Sequence, residues 1–115
     1  MAQDIRAQMR FLPISAQKVR LVIDVIRGMD VNQAMETLRF MPQGAAVPVA
    51  KLLASAVANA EENFGVSRDV LFVAKIFADE APTRKWRRFG ARGRFKPILR
   101  RSSHVTVILH EREAA

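Results

Sequence analysis

Between residues 16 and 63 the apolar positions fall at helical spacing, and on either side of that window they tend to alternate. Val19, Val22, Ile23 and Ile26 recur at intervals of three and four, which puts them on one face of a helix within AQKVRLVIDVIR. Ser15 is a good N-cap for this helix, and Gly28 stands where a left-handed residue would close it. Asp30 and Gln33 make a capping-box-like pair that opens a second helix, with Val31, Ala34, Met35 and Leu38 on one side and Pro42 ending it. A third helix is predicted from about Gly44 to Asn63. Its stripe is Val49, Leu52, Leu53, Ala56, Val57 and Ala60, with Ala50, Ala54 and Ala58 narrowing the rod. Pro48 is harmless in a first turn and kinks a helix deeper in, so this helix starts late or bends there.

Ile5 to Leu12 alternates loosely, with Ile5, Ala7, Met9 and Phe11 on one side and Arg6, Gln8, Arg10 and Leu12 on the other. That is a strand with one basic face, closed by Pro13. From Val70 the period returns to two, but Leu71 and Val73 share one phase and Ile76 and Ala78 the opposite one, which predicts a bulge near Lys75. Val105, Val107 and Leu109 alternate with Thr106, Ile108 and His110 in a last strand. Three helices and three strands that do not alternate as βαβ units predict an α+β fold, with the helices layered on one face of the sheet.

Charge changes this picture at one place. Of the 19 basic residues, nine lie between Arg84 and Arg101: Arg84, Lys85, Arg87, Arg88, Arg92, Arg94, Lys96, Arg100 and Arg101. No acid occurs from Ala81 to His110, so the net charge of +8 is a local property of this segment. Unpaired charges at this density cannot form a core. Yet Trp86, Phe89, Phe95, Ile98 and Leu99 are interleaved with them, Gly90 and Gly93 lie at the middle, and strand patterns flank both sides. The segment reads as a long, projecting basic β-hairpin whose like charges require a polyanionic partner. Nucleic acid fits best. The arginines suit phosphates better than base edges, while Trp86 and Phe89 either stack on bases or pack across the hairpin. A thinner basic set, Arg6, Arg10, Lys18 and Arg20, is either a solvated face or, if placed near the hairpin base, an extension of the same footprint.

At 115 residues the chain is expected to be a single domain over residues 1–115, with a globular body at 1–79 and 103–115 and an arm at 80–102. No apolar run is long enough for a membrane span, the N-terminus lacks a signal-peptide core, and without cysteine there is no disulfide or thiolate metal site. A cytoplasmic protein with no membrane partner is expected. Asp79 and Glu80 are adjacent carboxylates, better suited to anchoring arginines at the hairpin base than to proton transfer. His104 and His110 lie too far apart along one strand face to chelate a single metal. With no phosphate-cradling glycine loop and no nucleophile–base arrangement, no enzyme, metal site or cofactor is expected. An architectural DNA-binding arm is the alternative, although its usual apolar wedge is represented at FGARG by Phe89 alone.

Three stretches, SAQKVRLVIDVIRG, ASAVANAEENFG and KIFADEAPTRKWRRFGARGRFKPILRRSSHVTVIL, together closely resemble the bacterial large-subunit ribosomal protein twenty-two family, in the family's order and over nearly the whole chain. The most specific block runs from Lys75 to Val107, with Gly93 and Arg94 separated by nine residues from His104. The chain departs from the family pattern at Gly90, where a basic residue is common, and at Ala81, where glycine is common. The resemblance implies an α+β fold of three helices packed on a small three-stranded antiparallel sheet with a long projecting basic β-hairpin, and a constituent of the large subunit that binds its ribosomal RNA and supports early assembly. It implies a body near the mouth of the nascent-peptide exit tunnel and a hairpin tip, here Arg88, Phe89, Gly90, Ala91, Arg92 and Gly93, forming part of the tunnel wall. Lys18 and Arg20 match the family's basic pair in the first helix, and Arg84, Lys85, Arg92, Arg94, Arg100 and Arg101 match hairpin positions that face RNA. The implied partners are ribosomal RNA, neighbouring large-subunit proteins and the passing nascent polypeptide. No obligate homo-oligomer is implied.

Overall fold

Val19, Val22, Ile23 and Ile26 of the first helix and Val49, Leu53, Ala56 and Ala60 of the third are essentially fully buried, and they close over Ile5, Val73, Val105, Val107 and Leu109 of a sheet. The computed structural model describes the backbone of residues 4–89 and 95–112, and the side chains of the same residues except those of 84–99. Its elements run β1 (Ile5–Leu12), α1 (Ala16–Ile26), α2 (Val31–Phe40), α3 (Ala46–Asn63), a 3-10 turn (Arg68–Val70), β2 (Leu71–Glu80), β3 (Arg84–Phe89), β4 (Phe95–Arg100) and β5 (Ser103–Glu111). The body sheet is antiparallel with order β1-β5-β2, and β3 pairs with β4 in a separate two-stranded sheet. This is the expected α+β architecture of three helices on a three-stranded antiparallel sheet. The radius of gyration is 17.4 Å and the extents are 68 × 25 × 19 Å. A spherical domain of this length would have a radius of gyration of about 13 Å. The excess fits a slender element carried by a small body.

Local chemistry accounts for the boundaries. Ser15 caps α1 by accepting from the Lys18 amide. Pro48 falls in the first turn of α3, where no intrahelical donor is lost, so the helix starts late rather than kinking. The bulge predicted near Lys75 is present, because the β2–β5 register shifts between Val73 and Lys75 and so keeps Val73 and Ile76 both in the core. Two expectations need correction. Asp30 is the N-cap of α2 but makes no side-chain cap bond; its carboxylate instead accepts from Arg112 Nε. A charge-assisted bond to a guanidinium is the stronger use of that oxygen, and it ties the end of β5 to the start of α2. Phe11 and Leu12 also exchange the faces their alternation implied. The β1–β5 register shifts between Met9 and Leu12, and Phe11 adopts φ +55°, so Leu12 turns into the core while Phe11 is 57% exposed.

The outer edge of β2 is covered by its own chain. Gly28 donates to the Val73 carbonyl and Val73 to the Met29 carbonyl, each at 2.9 Å, and Asp30 bridges Phe72. Farther along, Arg27 donates to the Ile76 carbonyl (2.9 Å) and Arg20 to the Ala78 carbonyl (2.8 Å). These bonds occupy acceptors that would otherwise offer a template to another strand. Gly28 reaches this edge at φ +84°, with open space where a Cβ would go. Gly28→Ala is therefore expected to cost about 1–2 kcal/mol through backbone strain alone, measured by urea unfolding.

Candidate nucleic-acid interface

In the second sheet Arg84 stands opposite Arg100 and Arg88 opposite Lys96, while Trp86 pairs with Ile98 and Phe89 with Phe95. Two of the six rungs thus place like charges directly across from one another, which destabilises an isolated ribbon unless counter-charge arrives from outside. The side chains of Arg84, Lys85, Trp86, Arg87, Arg88, Phe89 and Lys96 lie outside the described residues, as do Gly90, Ala91, Arg92, Gly93 and Arg94 entirely. The two stacking candidates and the six tip residues fall in that span.

The root of the ribbon joins the two ladders with a one-residue offset. The body ladder ends at Glu80 opposite Ser103, the Ala81 amide donates to the Ser102 carbonyl, and the second ladder begins at Arg84 opposite Arg100. Four steps on the first strand match three on the second, so the Ala81–Pro82–Thr83 segment carries one extra residue at the junction. Ser103, fully buried, donates its hydroxyl to the Ile14 carbonyl at 2.9 Å and fastens this junction to the link between β1 and α1.

That fastening creates a groove of about 880 Å³ between the start of α1, the Gln43–Ala45 loop and the ribbon root. Lys18, Arg100 and Arg101 line it, all exposed, with Glu80 as the one acid among the described lining residues. The thin basic set of the first helix and the end of the arm therefore meet, through Lys18. Among the described residues the ion pairs lie elsewhere: Arg27 with Asp24, Arg68 with Glu61, His110 with Asp4 and Arg112 with Asp30. The hydrogen bond and charge of Glu61 raise the pKa of Arg68 above its ordinary value. No described acid neutralises the three groove cations, so their field is directed at solvent.

The other candidates separate. Arg20 is committed to the edge of β2, so its guanidinium is in part structural. Arg20→Ala is expected to lower stability by about 1 kcal/mol, whereas Lys18→Ala leaves the thermal midpoint unchanged; calorimetry on the two variants distinguishes the roles. Arg6 and Arg10 are exposed on the face of β1 that points away from the helices, apart from the groove. Asp79 and Glu80 do not anchor arginines among the described residues; Glu80 lines the groove instead. His104 Nδ1 accepts from the Phe11 amide at 3.0 Å and His110 engages Asp4, which gives both rings structural partners. No cluster that could hold a metal occurs among the described residues. The sequence reading missed Lys75 and Phe77, which alternation places on the same outer face as Arg6.

The family model described as ribosomal protein L22p/L17e matches residues 7–110. The chain belongs to that family. Its relatives include the large ribosomal subunit protein uL22 of Thermoanaerobacter sp. (strain X514), 49% identical over 108 residues, covering 94% of this chain and 97% of the relative. The protein of the same name from Desulfitobacterium hafniense is 46% identical over 111 residues, covering 96% and 97%. Both alignments span the groove and the ribbon together, and a family of this kind is a structural, non-enzymatic component of the ribosome.

Proposed function

We propose that this protein is a structural constituent of the large ribosomal subunit in the cytoplasm, that it binds large-subunit ribosomal RNA, supports early assembly, and lines the nascent-peptide exit tunnel with its hairpin tip. The observation that carries the RNA-binding reading is the groove. Lys18 from the body and Arg100 and Arg101 from the ribbon converge there against the one acid Glu80 and form no ion pair among the described residues, at the point from which the like-charged rungs extend. RNA phosphates supply what this geometry lacks. The ribbon threads between RNA segments that would otherwise repel each other, while the body docks outside with neighbouring large-subunit proteins.

A salt titration with a large-subunit RNA fragment tests the reading. With roughly five to nine phosphates engaged, log affinity falls against log salt with a slope on the order of −4 to −8. A slope near zero overturns it. Tunnel lining is tested separately, by crosslinks from a probe at Ala91 to a stalled nascent chain; crosslinks to RNA alone would remove that part.

A further inference from the structure

The sheet has a second face, turned away from the helices, whose composition the groove does not explain. The register aligns Arg6, Ile108 and Lys75 across the three strands in one row, and Gln8, Thr106 and Phe77 in the next. Arg6, Gln8, Lys75 and Phe77 are exposed, while Ile108 and Thr106 on the central strand are covered. Flanking edge strands with long polar side chains can cover a central strand while their charged ends stay in solvent, which agrees with this burial pattern. Arg6 and Lys75 therefore bracket a strip about 10 Å wide, with further rows about 7 Å apart along the strands.

Three phenylalanines reach this face, and they are not equivalent. Phe72 is occupied, with His110 edge-on to it at 6.1 Å and the Arg112 guanidinium over its ring at 4.5 Å. Phe77 has no such partner among the described residues. Phe11 is held out by a strained backbone at φ +55°, its amide on His104 Nδ1 and its ring edge-on to the His104 ring at 4.7 Å. A bulky residue in the left-handed region is strained, and such strain gathers where a side chain has a task. Here it presents an aromatic ring to solvent.

We infer that this face binds unpaired RNA, with bases stacking on Phe77 and Phe11 and phosphates meeting Arg6, Arg10 and Lys75. Among the described residues, three cations face one unengaged acid, Asp79, since Asp4 is held by His110. Charge complementarity thus selects a polyanion, and exposed rings set between cations select one with accessible bases over a duplex. Pro13, two residues after Phe11, already belongs to the groove wall. The inference rests on the RNA-binding reading above and adds a second ligand form to it.

The test uses the full chain with two probes, an oligouridine twelve-mer and a structured large-subunit RNA fragment, measured by fluorescence anisotropy. Phe77→Leu keeps an apolar contact and removes the aromatic face; Phe11→Ala removes the other ring. Each is expected to weaken oligouridine binding roughly five- to a hundredfold with the salt slope unchanged. Lys75→Gln is expected to make that slope shallower by about 0.7. Oligouridine affinity within twofold of the parent in both ring variants, with unchanged circular dichroism, overturns the inference. So does a parent chain that binds the structured fragment and not oligouridine, or a photocrosslinker at Phe77 that in assembled subunits labels only protein. A parent that binds neither probe overturns the RNA-binding reading itself.

Discussion

Replacing Lys18, Arg100 and Arg101 together by glutamine is expected to weaken binding to the large-subunit RNA fragment by about a hundred- to a thousandfold at 0.1 M salt. Each phosphate contact releases counterions worth nearly a factor of ten at that concentration, so three lost contacts account for the effect. The same variant should make the log–log salt slope shallower by about two to three and leave the thermal midpoint of the free protein unchanged. The second expectation follows from the structure, since all three side chains are exposed and none pairs with a described acid. Anisotropy over a salt series and calorimetry read the two quantities independently. An affinity loss with an unchanged slope would mean that the groove acts through shape, and the electrostatic account would fail.

The parts of the fold visible in the sequence are those fixed by local rules. The stripe Val19, Val22, Ile23 and Ile26 needed only helical spacing, and the phase change between Val73 and Ile76 needed only the two-residue period of a strand. Pro48 was readable because a missing donor costs nothing in a first turn. What escaped depended on contacts distant in sequence. Asp30 looked like a cap because Gln33 is three residues away; its actual partner, Arg112, is 82 residues away. Phe11 looked like a core residue because nothing in MRFLP signals a left-handed backbone at phenylalanine. Arg20 looked like a free cation because the Ala78 carbonyl it serves lies on an edge strand 58 residues later. The candidate site shows the same division. Its charge was concentrated in one segment and so was plain, whereas its assembly from Lys18, Arg100 and Arg101 depended on the Ser103 hydroxyl finding Ile14, which no local pattern encodes.

Leu53→Ala is the variant expected to harm the body most while sparing the interface. Leu53 is fully buried within α3 and belongs to the core shared by helices and sheet. Its truncation removes the transfer energy of three carbons and leaves a cavity that helices narrowed by alanine collapse into only in part, a cost of about 2–5 kcal/mol. In a domain stabilised by 5–15 kcal/mol this is a large fraction, and the thermal midpoint should drop by roughly 10–20 °C. Because the change touches no cation, the salt slope of the folded fraction should match the parent. RNA that binds only the folded state should then restore stability by mass action, by about 2.7 kcal/mol at a free concentration a hundred times the dissociation constant. Calorimetry with and without the RNA fragment checks both halves. Rescue of the midpoint by RNA, with an unaltered slope, is the outcome that separates a body built to fold from a surface built to be neutralised; a midpoint that RNA cannot raise would mean that binding does not require the folded core.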